Sequence, residues 1–114
     1  MRRRQIPSAS LHVLVALLPG EKHGYAIMRD VDQISDGAAK MGPGTLYGTI
    51  GRLLDDGLIE EVKSPDDSDP NAERRRYYRL TQDGTRVAHD ELNRLHALLE
   101  RVARFHPGLE GGMS

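Results

Sequence analysis

Gly42-Pro43-Gly44 opens a helix that the rest of the chain has to be built around. Proline at a first helical position loses no hydrogen bond, so the start is set there. Leu46, Ile50, Leu53 and Leu54 then recur on one inward face, and Gly57 fits a left-handed stop. Thr45, Tyr47 or Gly48, Thr49, Arg52, Asp55 and Asp56 are left on the outward face. A rod this short with one apolar stripe must pack on other helices, and the preceding residues supply two.

Residues 8–18 read as a first helix, with Ser8 or Ser10 at its start and Pro19-Gly20 at its end. Apolar side chains cover nearly all of its circumference, which predicts burial on more than one side. His23 to Ile34 reads as a second helix, with Ile27, Met28, Val31 and Ile34 at helical spacing and Ser35-Asp36-Gly37 as the turn after it. Residues 36–42 form a connector that carries Lys40. Beyond Gly57, residues 58–63 and 74–80 read as two strands joined by an acidic loop, Ser64 to Glu73. Alternation places Tyr78 and Leu80 on the core face of the second strand and Arg75, Tyr77 and Arg79 on the other.

Thr81 caps a last helix, from Gln82 to Arg104, whose seam is Ala88, Leu92, Leu95, Leu99 and Val102. Roughly six helical turns are more than one small core covers, so a second copy of the chain is expected along Leu92, Leu95, Leu99 and Val102. The fold class is therefore mainly α with a two-stranded β wing: a winged helix-turn-helix over residues 1–80 and a dimerisation helix over 81–106. Residues 107–114 are expected to be a disordered tail.

The 114 residues suffice for one domain. Absence of Cys excludes disulfides, thiolate metal sites and a cysteine nucleophile. The longest apolar run, Leu11 to Leu18, contains His12 and is too short to cross a bilayer. Met1-Arg2-Arg3-Arg4 resembles the opening of a signal peptide, but no small-residue cleavage site follows, and a cytoplasmic location is expected. The net charge of −1 argues against a simple DNA-coating protein. The distribution argues the other way: three arginines lie in residues 1–4 and four in 74–79, while acids collect in Asp55-Asp56, Glu60-Glu61 and Asp66–Asp69. Local field decides where a phosphate docks.

Other chemistry finds little support. Asp67, Asp69 and Asn71 mimic the first ligands of a calcium loop, but Ala72 stands where glycine is needed and Tyr78 where a glutamate is needed. Gly42 and Gly44 do not make a dinucleotide fingerprint. His89 and His96 are a heptad apart and flank the seam, which does not suit a metal pair. No cofactor is expected, and no catalytic set is evident.

The chain resembles the PadR family of bacterial transcriptional regulators. The resemblance rests on His23-Gly24-Tyr25, Gly44-Thr45-Leu46-Tyr47, Arg52-Leu53 with Asp56-Gly57-Leu58-Ile59, and Arg76-Tyr77-Tyr78-Arg79-Leu80-Thr81 leading to Gly84. It implies a homodimer that binds double-stranded operator DNA as a repressor and releases it to a small-molecule effector. Carried over by position, Thr45, Tyr47, Thr49 and Arg52 would lie on or beside the DNA-facing side of the recognition helix. Arg74, Arg75 and Arg76 would be wing contacts, and Tyr25 and Lys40 would approach the backbone from the flanks. Gly48 and Gly51 depart from the family, which carries larger residues there, so fewer side chains reach base edges. The absence of Trp removes a flat surface that some relatives use for aromatic drugs. Tyr47 as a core ring under the first helix, and a winged-helix module that contacts protein rather than DNA, are the competing readings.

Overall fold

Seven elements follow one another in the computed structural model, which describes residues 6–64 and 76–106. They are α1 (Ser8–Ala16), β1 (Lys22–His23), α2 (Gly24–Ile34), α3 (Pro43–Asp55), β2 (Ile59–Val62), β3 (Tyr77–Leu80) and α4 (Gln82–Phe105). The expected tail and most of the acidic loop lie outside the described residues.

α1 is shorter than its sequence pattern. Pro19 disfavours helical geometry in the residue before it, and the Leu17 amide already bonds the Val13 and Leu14 carbonyls at 3.2 and 3.1 Å as the last turn tightens. Neither serine caps the start: Pro7 takes the N-cap position without a side-chain bond, and Ser10 is buried. Val13, Leu14, Ala16 and Leu17 face the core. α2 is capped by a histidine, because the His23 Nδ1 accepts the Ala26 amide at 3.2 Å. At its far end the Ser35 hydroxyl donates to the Val31 carbonyl (2.7 Å) and accepts the Ala39 amide (2.9 Å).

α3 begins with Gly42 as N-cap and Pro43 in its first turn, as the sequence requires. It ends in a Schellman motif. Gly57 has φ 73°, its amide bonds the Leu54 carbonyl at 3.1 Å, and the Leu58 amide bonds the Leu53 carbonyl at 3.0 Å.

The sheet has three strands in the order β1-β3-β2, all antiparallel, so a two-residue strand joins the expected hairpin. The register sets Glu60 opposite Arg79, Glu61 opposite Tyr78 and His23 opposite Tyr77. This corrects one expectation. Tyr77 is buried, like Tyr78, because β3 is the central strand and the His23 ring stands edge-on to Tyr77 (5.4 Å between centroids, 89°).

Thr81 caps α4, accepting the Gly84 amide at 3.1 Å while donating to the Gly57 carbonyl at 2.7 Å. The Thr81 amide also bonds the Leu58 carbonyl at 3.0 Å. The end of α3, the start of β2 and the start of α4 are thus one interlocked corner. The core within this frame is Leu14, Ile27, Val31, Leu46, Ile50, Leu53, Tyr78 and Ala88 with their neighbours. The architecture is the expected winged helix-turn-helix with a long C-terminal helix.

Candidate nucleic-acid interface

The outward side of α3 presents Thr45, Tyr47, Gly48 and Arg52 to solvent. Thr49 does not join them. It is fully buried, and its hydroxyl donates to the Thr45 carbonyl at 2.8 Å. A threonine between Leu46 and Leu53 turns inward because its hydroxyl can be satisfied within its own helix, leaving only its methyl to the core. Its expected place on the outer surface is therefore overturned. Neither Gly48 nor Gly51 is demanded by packing, since a Cβ at either position meets nothing within 4 Å.

Tyr47 is 52% exposed and lies over Gly24 of α2, where a Cβ would come within 2.9 Å of the ring carbon Cζ. It is neither a core ring under α1 nor a free surface ring: α2 holds it in place. Tyr25, 66% exposed, stacks on His23 with 6.4 Å between centroids and 23° between planes. His23 thereby caps α2, supports Tyr25 and touches Tyr77 of the sheet. The sequence marked it only as part of a motif, since imidazole capping leaves no periodic signal. Lys40 is exposed in the connector ahead of α3.

Arg74 and Arg75 lie outside the described residues. Arg76 is exposed just before β3, and its Nε stands 3.7 Å from Glu61 Oε1. Arg79 donates to Glu60 at 2.6 Å on the opposite face, since residues 76 and 78 alternate with 77 and 79. Tyr78 locates the Arg76 side of the sheet relative to α3. Burial, then the Glu61 carboxylate and the Tyr47 hydroxyl, push its phenol above the ordinary 10.0, while Arg76 pulls it down. Tyr78 packs in the core with Leu46, Ile50 and Leu53, so its face of the sheet is turned to α3. Arg76 shares that face of the strand with Tyr78, and Arg79 lies on the other.

A second surface lies along α4. Its buried residues, Gly84, Ala88 and Glu91, all belong to the first half. Farther along, Leu92, Leu95 and Leu98 are 36, 39 and 46% exposed, and Leu99 and Val102 are half-buried. Leu98 and Phe105, absent from the sequence seam, widen the apolar face. Leu92 and Leu95 face Leu11, Val15 and Ile34 across a cleft of about 450 Å³, with Glu91 at its wall. Glu91 is ion-paired to Arg94. Among the described residues no cluster of three metal-ligating side chains occurs, and no helix is long and apolar enough to cross a membrane.

Comparison with known proteins agrees with this fold. The model of the transcriptional regulator PadR-like family matches residues 13–90. An uncharacterized 37.1 kDa protein in transposon TN4556 of Streptomyces fradiae is 33% identical over 94 residues, which cover 82% of this chain and 25% of that protein. The chain thus spans about a quarter of that relative's length. A PadR family transcription regulator from Clostridium difficile has a similar fold, with TM-score 0.70 and 20% identity over 90% of this chain and 100% of that one. Bacillus subtilis PadR in complex with operator DNA gives TM-score 0.62 and 22% identity over 75% of this chain and 47% of that one.

Proposed function

This chain belongs to the PadR-like family of transcriptional regulators, and from that premise we propose that it is a homodimeric repressor acting in the cytoplasm on an inverted repeat in double-stranded DNA. Two α3 helices related by a two-fold axis enter successive major grooves, about 34 Å apart. Thr45, Tyr47 and Arg52 meet the groove. Tyr25 and Lys40 meet the flanking backbone. The wing arginines meet phosphate, supplying affinity more than sequence choice.

The observation that carries this reading is that Tyr78, packed with Leu46 and Ile50 of α3, shares its strand face with the exposed Arg76 of the wing, while α3 leaves Thr45, Tyr47 and Arg52 exposed. A helix with an open polar face and a cationic wing beside it fit the curvature of a duplex together. The half-exposed leucines of α4 support the dimer, since water is an unfavourable neighbour for such a stripe. The cleft between α1, α2 and α4 would hold an effector. A molecule there shifts the spacing of the two α3 helices only by its differential affinity for the two arrangements.

Titrating the duplex upstream of the chain's own gene across a salt series tests the proposal. Wild-type protein should bind, with affinity falling steeply as salt rises. Arg52→Ala should lose about 1–3 kcal/mol or relax base preference if it reads a guanine. Arg76→Ala should weaken all sequences alike. The rival, a winged-helix module for protein contact, draws support from the glutamates already paired to Arg76 and Arg79. Lack of binding at low salt would decide for it.

A further inference from the structure

The wing carries acid where a DNA-binding hairpin has most reason to avoid it. Glu60 of β2 faces Arg79 of β3, while Glu61 faces Tyr78 and stands 3.7 Å from Arg76, the residue just before β3, so strand alternation sends the two pairs to opposite faces of the sheet. Of the two, the Glu61–Arg76 pair stands on the Tyr78 face of the sheet, and Tyr78 packs in the core with Leu46, Ile50 and Leu53 of the recognition helix. We infer that Glu61 is a counter-charge competing with DNA phosphate for Arg76, and that it sets how weakly the wing grips DNA. The inference rests on the DNA-binding reading above.

The geometry suits exchange rather than permanence. Arg76 and Glu61 are 74 and 47% exposed and 3.7 Å apart, a separation at which the attraction in water is small. An arriving phosphate can therefore take the guanidinium, but the carboxylate is left within a few ångströms of a second negative charge. Both effects oppose binding, and neither depends on base sequence. The Glu60–Arg79 pair is closer, at 2.6 Å, and lies on the opposite face of the sheet from Tyr78, so it should stay intact in the complex. Glu61 thus lowers affinity for all DNA by a similar factor.

The experiment compares wild type, Glu61→Gln and Glu60→Gln on a short mixed-sequence duplex by fluorescence anisotropy over a salt series. Glutamine keeps the size and removes the charge, and thermal melts of the three proteins check that folding is unchanged. Glu61→Gln should bind about two- to fivefold tighter per site, the factor expected from an exposed ion pair. Its plot of log affinity against log salt should steepen by up to about 0.9 per phosphate newly engaged. Glu60→Gln should match wild type in both. A Glu61→Gln protein with wild-type affinity and slope overturns the inference while leaving DNA binding intact. Equal tightening by both variants also overturns it, because net charge alone would then account for the gain. If none of the three proteins binds at low salt, the DNA-binding reading itself fails, and this inference with it.

Discussion

Tyr47 of α3 rests on Gly24 at the start of α2, so closely that a Cβ on Gly24 would meet the ring at Cζ (2.9 Å) and Cε1 (3.1 Å). The two residues belong to different helices and come together only because α2 and α3 cross there. The contact ties an exposed ring to the angle between the two helices.

Gly24→Ala should therefore separate folding from binding. The atoms in the way are the outer end of a side chain that can swing aside, so the melting temperature should stay close to wild type. The displaced Tyr47 should lose the DNA contact proposed for it, at a cost of about 1–1.5 kcal/mol, roughly tenfold in Kd. Melts and anisotropy on the same preparation check this, and a tenfold loss of affinity accompanied by unfolding would contradict it.

Thr49→Val should leave DNA binding unchanged. Thr49 is enclosed, and the hydroxyl it loses bonds only the Thr45 carbonyl. A stability cost of about 0.5–1.5 kcal/mol is expected in denaturant titrations. Any selective loss of operator affinity would return Thr49 to the DNA face.

Gly84→Ala should be severe. A Cβ there would lie 2.9 Å from the carbonyl carbon and 3.3 Å from the Cα of Leu58, and backbone at this corner is already held by the Thr81 amide. Overpacking against atoms that cannot rotate away costs about 1–3 kcal/mol or more. The corner would have to open, and the melting temperature should fall by several degrees or more.

Leu95→Arg should yield a monomer. Leu95 is 39% exposed on the stripe assigned to the second copy. An unpaired charge buried at that interface costs about 3–5 kcal/mol per side. Light scattering coupled to gel filtration reads the mass directly, and an unchanged mass would remove α4 from the dimer.

Acid should reveal the Lys22–Asp30 pair that joins β1 to α2. The hydrogen bond from Lys22 holds the Asp30 carboxyl below its ordinary 3.8, opposed by burial and aided by the charges of Lys22 and Arg29. A carboxyl depressed in the folded state stabilises the fold above its unfolded pKa, and that contribution is lost as pH falls through the folded value. Lys22→Met should thus melt lower than wild type near neutrality, and the gap should close as the pH drops below about 4. A gap constant with pH would mean that Lys22 acts through its packed stem alone.

The two ends of α3 and the start of α4 were legible in sequence because they depend on local chemistry, whereas the caps of α1 and α2 were not. Pro43 at a first turn, Gly57 in a left-handed stop and Thr81 as a cap each act on their own backbone neighbours. The inward stripe of α3 followed from periodicity, as did the apolar face of α4. What periodicity could not decide was the destination of residues whose chemistry allows either side. Thr49 went inside because the Thr45 carbonyl satisfies its hydroxyl, and Tyr77 because β1 makes β3 a central strand. The pairing of Glu61 with Arg76, and the face on which it lies, required the register between β2 and β3. Caps and stripes are written in neighbouring residues. Register, burial of ambiguous side chains and the meeting of Tyr47 with Gly24 arise from distant segments brought together, and only the packed chain settles them.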